Sequence, residues 1–480
     1  MQIYSYVFIL LFFPLSVLCY FIACKFNQRF AAITLLLFNL FFYGYINKKF
    51  ILFILLSILI NYIIANILIK LNNRRKLLLT IGLIFNIGCL FYCKYSNFFV
   101  STLNDIFTLD IMFKNVFVPM GISFFTFQYI ALLMDIYRKK VVNINLLDFS
   151  VFTTFFPKIV QGPIMLYQDF DEQFNNPDNH KINFENMSAG LYLLSIGFTK
   201  KILIADVLAN LVNAGYTQYA TLNTTMTIIV VVLYSFQIYF DFSGYSDIAL
   251  GLGKMFNIHY PHNFNSPYKA TSIGDFWNRW HISLTNFFTR YLYIPLGGNR
   301  KGKTRTLINI MIVFLISGLW HGAAITFIIW GLIHGILSVI DKLIDNPYQR
   351  LPHIIKWAIT FICVTLAWIY FRSPNLEVAN TMISNIFSFN NFNIDYELLK
   401  LLLLPEITFI ITQYSLEPYT FRFILIFILS IFFATLFTKN TTQIVSEWKP
   451  KLSRLLICSF LLCWCILEFG KSAVFLYERF

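Results

Sequence analysis

The sequence has few charged residues, and this scarcity excludes a soluble globular protein. Charged residues make up 12% of the 480 positions, whereas 58% are hydrophobic and 19% are aromatic, and the mean hydropathy is +0.66. A globular domain in water carries about 25% charged residues. Apolar runs such as 51–69 and 77–93 with its flanks are long enough to cross a bilayer as helices. The sequence therefore predicts an all-α polytopic membrane protein with about ten to twelve transmembrane helices of that length.

The sequence also lacks the features that separate soluble domains or mark many transporters. It has no Gly/Ser linker, no low-complexity tract, no long charged tail and no internal repeat. We therefore predict one membrane domain over 1–480, with N-terminal spanning helices in 1–115, a core in 116–372 and C-terminal helices in 373–480. The first apolar stretch, about 4–24, has no preceding basic residue, so we interpret it as a retained helix.

Neither metal nor nucleic acid is expected as a partner. The eight cysteines form no zinc-ligand set, and the i, i+2 spacing of Cys463 and Cys465 puts them on different faces of a helix. The net charge of +14 comes from lysines and arginines between the apolar segments, where such residues fix topology. We therefore predict no metal, no disulfide and membrane lipid as the surroundings.

Two stretches of the middle part interrupt the apolar pattern. Phe155–Pro163 contains two prolines, a lysine and a glycine, and such broken backbone is tolerated at membrane depth only where protein or a water-filled cavity covers it. We predict a re-entrant element there. The stretch 254–305 carries eight lysines and arginines against a single acid, which predicts a cytoplasmic segment.

The sharpest chemical signal is a histidine inside an apolar run, His321 in the segment Ser317–Ala323. Ionisable residues at membrane depth are functional candidates by default. A neutral imidazole can accept a proton from a hydroxyl group near physiological pH, which activating an acyl acceptor requires. The glycines beside it would let a substrate approach the backbone closely. The alternative is a core histidine satisfied by a neighbouring carbonyl group.

Two further segments carry polar candidates. Asn265–Tyr268 and Asp275–Leu284 combine aromatic, Arg, Asn and His residues, and His281 is a candidate second polar group of the reaction path. The segment Gln237–Gly251 carries two acids that could orient a histidine or bind a helix end. The alternatives are interfacial anchors in the first case and a Gly/Ser kink with satisfied acids in the second. The candidate substrate-binding residues are Trp320, Asp241, Asp247, Asn265, Arg279, Trp280 and Ser283.

A glycine-rich basic loop, Leu296–Lys303, is a candidate donor-binding segment. Its Arg300, Lys301 and Lys303 could meet the phosphates of a nucleotide-bearing acyl donor such as coenzyme A. The loop lacks the spacing of a P-loop, and a purely topogenic role is the alternative.

These motifs together resemble the membrane-bound O-acyltransferase (MBOAT) family over about half of the chain, from Val118 to Arg372. Within it, the sequence is similar to the bacterial branch of alginate O-acetyltransferases, PatA-type peptidoglycan O-acetyltransferases and the related protein DltB. The motifs that carry the resemblance are Gln161–Ile164, Asp241–Asp247, Phe276–Leu284 and Trp320–Gly322.

The resemblance implies a ring of tilted helices with re-entrant segments around a thin centre, through which acyl groups from a cytoplasmic donor reach the outer face. His321 matches the proposed catalytic histidine of the family, and His281 matches its second motif histidine. The donor would be acetyl-CoA or another acetyl thioester, and a periplasmic SGNH-type esterase or acetyltransferase would be the partner.

The final segment, Phe475–Phe480, is similar to a short aromatic motif of this branch whose tyrosine, here Tyr477, is the suggested acyl relay. A phenol ester transfers readily because the phenol pKa is about 10. Glu478 departs from the all-aromatic pattern, and an aromatic-belt anchor is the alternative.

The expected function is a multi-pass O-acetyltransferase of the inner (cytoplasmic) membrane that acts on a cell-envelope polysaccharide. Peptidoglycan is the first expectation, because the chain carries its own terminal tyrosine motif and its Lys-, Asn-, Ile- and Phe-rich composition differs from that of typical alginate producers. The alternatives are O-acetylation of alginate or another exopolysaccharide, teichoic-acid D-alanylation, a membrane scaffold for a soluble acetylase and, from another class, a transporter or flippase. The residues leave open the donor, the oligomeric state and the partner.

Overall fold

The structure is a computed structural model, and it describes residues 2–46, 48–113, 116–344, 348, 350–471 and 475. These residues form helices and no strands. Eight helices of the described part are long and apolar enough to cross a membrane, and two shorter apolar helices, Phe8–Cys24 and Ile122–Tyr137, accompany them. The predicted all-α polytopic membrane protein is therefore confirmed.

The α-helices are numbered here in chain order. The first eleven are α1 (Phe13–Cys24), α2 (Gln28–Ile46), α3 (Ile51–Lys70), α4 (Arg75–Leu90), α5 (Ser96–Phe107), α6 (Ile122–Tyr137), α7 (Leu146–Thr154), α8 (Tyr167–Phe174), α9 (Phe184–Phe198), α10 (Asp206–Thr217) and α11 (Thr224–Met255). The others are α12 (Ile273–Arg279), α13 (Ile282–Phe288), α14 (Lys303–His321), α15 (Ile325–Leu343), α16 (His353–Arg372), α17 (Leu376–Phe387), α18 (Tyr396–Leu399), α19 (Pro405–Gln413), α20 (Thr420–Phe437), α21 (Thr441–Ser446) and α22 (Leu452–Glu468).

The described residues pack as two compact units. The first unit contains those of 1–195, 246–262 and 449–470, and the second contains those of 196–245, 263–448 and 471–480. The division falls inside α11, after Tyr245. The second unit carries both motif histidines, and the single membrane domain over the whole chain stays a prediction.

In the first unit, the chain between α7 and α8 is irregular and covered by protein. Every residue from Phe155 to Met165 is buried. The ammonium group of Lys158 lies 3.4 Å from the centroid of the Phe152 ring. Gly121 has a φ of 78°, and a Cβ there would lie 2.2 Å from the Ile159 carbonyl oxygen, so only glycine fits. The broken, covered backbone expected for this stretch is present, and its re-entrant placement in a bilayer stays a prediction.

In the second unit, two glycines let α14 and α15 approach closely. A Cβ added to Gly318 would lie 2.3 Å from the Phe327 carbonyl oxygen, and one added to Gly331 would lie 2.4 Å from that of Phe314. A Cβ on Gly322 would lie 2.1 Å from the Phe327 ring. The glycines beside the motif histidine therefore accommodate α15, as small residues do between membrane helices, and the expectation that they admit substrate is wrong.

Candidate active site

His321 ends α14 and lies inside an aromatic box. It is 4% exposed, and the centroid of its ring is 4.8 Å from that of Trp320, 5.1 Å from Trp330 and 5.2 Å from Phe371. The box is contributed by α14, α15 and α16, and the close packing at Gly318 sets the position of α15. The imidazole is therefore held within the protein by three helices.

His281 lies between α12 and α13 with backbone angles that a non-glycine residue rarely adopts. Its φ is 45° and its ψ is 52°, in the left-handed region, and such strain is found at functional sites. Its carbonyl oxygen accepts hydrogen bonds of 3.0 Å from the amides of Leu284 and Thr285, which begins α13. The ring is fully buried, 4.6 Å from Phe242 and 6.4 Å from Trp320. Burial lowers the pKa of His281 from 6.5 to about 3, so this imidazole is neutral at physiological pH.

The two motif histidines share one neighbour, because both rings lie against Trp320. The sequence places His281 and His321 forty positions apart in different motifs. The fold of the second unit therefore brings together the pair of imidazoles and the tryptophan expected to form the reaction centre. Their roles stay predictions.

Asn263 holds the turn that carries His281, a role that no motif in the sequence indicates. The Asn263 carbonyl oxygen accepts from the Ile282 amide at 3.0 Å. Its side-chain oxygen accepts from the Ser283 hydroxyl at 2.6 Å and from the Ser283 amide at 3.3 Å. The structure therefore places Ser283, a predicted substrate-binding residue, in a buried hydrogen-bond network that fixes the left-handed turn.

Asp241 belongs to a buried charge cluster that the sequence did not predict. Its carboxylate accepts from the ammonium group of Lys201 at 2.7 Å, and Asp206 pairs with the same group at 2.9 Å. Lys201 is 1% exposed and lies in the π-helical segment Thr199–Ala205. The sequence feature that could have indicated this cluster is Lys201 itself, which stands next to an apolar run and five residues before Asp206.

The remaining candidates lie in different settings. Arg279 donates to Asp275 at 2.7 Å, and its second contact is the Asn265 carbonyl oxygen at 3.4 Å. Trp280 is 1% exposed and packs 5.1 Å from Trp368, in the hydrophobic core of the second unit. The Trp280 indole therefore packs against protein, and its depth in the membrane stays a prediction.

Asp247, predicted alongside Asp241, belongs to the first unit. Burial lowers the pKa of His262 in that unit, and the charge of Asp247 opposes this shift. Arg300, Lys301 and Lys303 are exposed near the start of α14, and the Gly298 carbonyl oxygen of their loop accepts from Asn309 at 2.9 Å. Tyr477 and Glu478 lie outside the described residues. No three His, Cys, Asp or Glu side chains of the described chain are grouped to hold a metal ion.

His334 on α15 is a buried histidine that the motif analysis missed. It is fully buried, with its ring 4.9 Å from Trp330 and 5.0 Å from Trp277. Neither ring nitrogen has a hydrogen-bond partner among the described residues. The rule that drew attention to His321, an ionisable group in an apolar helix, applied equally to His334.

A cavity of about 660 Å³ lies beside this aromatic core in the second unit. Its lining includes Trp277, Thr285, Phe314, Ser317 and Asp341. Ser317 is four residues before the motif histidine of α14, so the two side chains lie on the same face of the helix. The cavity is therefore one helical turn from the motif histidine and is large enough for a small ligand.

Comparisons with known proteins agree with these motifs. Residues 76–377 match the model of the MBOAT, membrane-bound O-acyltransferase family. A "Peptidoglycan O-acetyltransferase" from Helicobacter pylori is 38% identical over 423 residues, covering 81% of this chain and 80% of the relative. A "Probable alginate O-acetylase AlgI" from Pseudomonas syringae pv. tomato is 37% identical, covering 81% and 76%. A "Teichoic acid D-alanyltransferase" from Bacillus subtilis is 28% identical, covering 54% and 68%.

Proposed function

Because this chain belongs to the membrane-bound O-acyltransferase family, we propose that it carries an acetyl group across the inner membrane to a cell-envelope polysaccharide. It is a multi-pass membrane O-acetyltransferase, and the proposal concerns its donor, acceptor and catalytic residues. The observation that carries the proposal is the placement of His281 and His321 against one buried tryptophan, with His281 held neutral by burial.

In the proposed mechanism, the imidazole of His321 acts as general base. It takes the proton from the phenol of Tyr477 as the phenolate oxygen attacks the carbonyl carbon of an acetyl thioester. A C–O bond forms, the C–S bond breaks, and the proton passes to the departing thiolate. His281, a neutral imidazole in the same site, is the proposed second polar group. The acetyl-tyrosine then gives its acetyl group to an acceptor hydroxyl at the outer face, which regenerates the phenol.

The cavity beside α14 is the proposed entry of the donor. It combines an apolar wall, supplied by Trp277 and Phe314, with the hydroxyl group of Ser317 one turn before His321. The exposed cations Arg300 and Lys301 precede α14 in the chain and Lys303 begins it, and all three suit the phosphates of coenzyme A. Acetyl-CoA, or another acetyl thioester, is therefore the proposed donor.

Peptidoglycan is the proposed acceptor, supported by the name of the Helicobacter pylori relative. Alginate or another exopolysaccharide is the second candidate, supported by the names of the alginate relatives. A periplasmic SGNH-type esterase or acetyltransferase is the proposed partner that collects the acetyl group. We propose that this transfer takes place at the outer face of the inner membrane.

The test is envelope O-acetylation in cells that depend on this chain. His321→Ala should abolish base-labile acetate on peptidoglycan while the protein still reaches the membrane in normal amount. The matched control is His353→Ala, which removes an exposed histidine at the start of α16 and should leave acetylation unchanged. Full acetylation in the His321 variant would overturn the assignment of the base. Unchanged peptidoglycan with altered acetate on another polysaccharide would overturn the acceptor alone.

A further inference from the structure

A buried cation between two carboxylates is an unusual feature of the second unit. The side chain of Lys201 is 1% exposed, and its ammonium group contacts Asp241 at 2.7 Å and Asp206 at 2.9 Å. Desolvating three charges is unfavourable, so such clusters are weak evidence for stability and call for another explanation. The proposed chemistry at the histidines gives this lysine no role.

The cluster contacts the segment that contains the proposed relay. Phe475 is 1% exposed, and the Lys201 ammonium group lies 4.4 Å from the centroid of its ring. Tyr245 also packs against Phe475: the two rings meet edge to face, with their centroids 5.0 Å apart and an interplanar angle of 88°. A cation over an aromatic face attracts the ring most strongly when both are desolvated, as they are here.

Two local features position Lys201 beside the ring of Phe475. The π-helical segment Thr199–Ala205 carries Lys201, and π-helical turns are common at functional sites. Gly244 on α11 lets that segment come close, because a Cβ there would lie 2.8 Å from the Gly197 carbonyl oxygen. The lysine is therefore set between α11 and the bound ring.

The cluster and the histidine site are neighbours along α11. Phe242, which contacts His281 at 4.6 Å, is three residues before Tyr245, so the two aromatic side chains lie one turn apart on one face. Tyr477 follows Phe475 by two residues, and two residues of extended chain span about 7 Å. A ring fixed at position 475 therefore limits how far the tyrosine can lie from His281.

We propose that the Lys201–Asp241–Asp206 cluster is the docking site of the Phe475–Phe480 segment, and that it holds Phe475 so that Tyr477 meets the histidine site. Lys201 is a positioning residue in this proposal, which rests on the proposed function for the role of the tyrosine. The two carboxylates orient and retain the ammonium group, and the ring of Phe475 is what it binds.

Docking is tested separately from catalysis by photo-cross-linking in the full-length protein. A benzoyl-phenylalanine placed at position 475 keeps an aromatic ring there and should cross-link to the peptide of Thr199–Ala205 or to that of α11, as identified by mass spectrometry. Lys201→Met should lower this yield at least threefold, whereas Lys201→Arg should restore it. The matched control is Lys200→Met, because the neighbouring lysine contacts Thr441 at 3.5 Å. Cross-links confined to other segments would overturn the docking site.

Positioning is tested by single-turnover acetylation of Tyr477 with radiolabelled acetyl-CoA. Phe475→Leu leaves the charge cluster intact, which matters because Lys201→Met strands two buried carboxylates and can unfold the protein. We expect Phe475→Leu to slow labelling about tenfold, as the loss of a desolvated cation–π contact predicts, and Phe475→Trp to retain most of the rate. Equal rates for Phe475→Leu and wild type would overturn positioning.

The two proposals fail in different ways. If His321→Ala abolishes envelope acetylation but the probe at 475 never reaches Lys201 or α11, the docking proposal is wrong and the proposed function stands. If the probe cross-links as expected but wild-type Tyr477 takes no label from any acetyl thioester, the tyrosine relay and the positioning role fail together.

Discussion

Replacing Gly318 by alanine should disturb the active site without touching any polar group. The added Cβ would lie 2.3 Å from the Phe327 carbonyl oxygen and 3.2 Å from the Gly331 Cα, whereas ordinary contact begins at 3.4 Å. Because the obstructing atom belongs to the backbone of a packed helix, α15 must move by about 1 Å to restore ordinary contact. Overpacking of this kind costs about 1–3 kcal/mol of stability. Since α15 carries Trp330, which contacts His321 at 5.1 Å, the box around the imidazole shifts with it.

The assay compares acetyl transfer and thermal unfolding of the purified variant in detergent. A misplacement of about 1 Å can lower a catalytic rate about a hundredfold, so we expect activity to fall more steeply than stability. The matched control is Gly88→Ala in α4, where an added Cβ meets nothing within 4 Å. It should be neutral or stabilising by up to about 1 kcal/mol. Wild-type stability and activity for Gly318→Ala would refute the reasoning.

Three other predictions concern Asn263, Lys201 and His281. Asn263→Ala removes the acceptor of the Ser283 hydroxyl at 2.6 Å; we expect stability to fall by about 1–3 kcal/mol, and kcat to fall with KM unchanged, measured by unfolding and steady-state kinetics. Lys201→Met should destabilise by about 3–5 kcal/mol, and adding Asp241→Asn should recover part of this, as a double-mutant cycle will show. Burial lowers the pKa of His281 from 6.5 to about 3, so between these two pH values the unfolded chain takes up a proton that the folded protein does not. The contribution of His281 to stability is therefore present above pH 6.5 and is lost as the pH falls from 6.5 to about 3. Thermal unfolding of His281→Asn should therefore depend less on pH between 6.5 and 3, and an unchanged slope would contradict the buried neutral imidazole.

Local signals predicted the membrane helices and singled out two motif histidines, whose roles stay predictions. Long apolar runs require helices in a bilayer, and an ionisable group within such a run is unfavourable enough to mark function. His321 was identified this way, whereas His281 was a candidate because of the polar and aromatic residues around it, and the structure brings both to Trp320. That convergence follows from tertiary packing, and no spacing in the chain encodes it.

The charge cluster shows what local patterns omit. Asp241 and Asp247 look alike in the sequence, yet one pairs with a lysine forty positions away and the other belongs to the first unit. Arg279 pairs with the carboxylate four residues before it, and its contact with substrate stays a prediction. For Asp241 a lysine forty positions away decides the setting, and the sequence alone does not specify that pairing.

The roles of the glycines near His321 could not be inferred from their positions for a similar reason. A glycine beside a functional residue is equally compatible with substrate access and with close helix packing. Only the path of α15, whose Phe327 carbonyl oxygen faces Gly318, distinguishes the two. Knowledge of which helix packs against which is therefore the missing information.

In the proposed mechanism, His321 activates the hydroxyl group that receives the acetyl group. The most direct test of this claim is the purified full-length protein in sealed vesicles, with radiolabelled acetyl-CoA supplied to one side and acetyl-protein measured by mass spectrometry. We predict acetyl-Tyr477 in the wild type and in His353→Ala, and none in His321→Ala with the protein folded. Acetyl-Tyr477 formed at the wild-type rate in His321→Ala would contradict the claim.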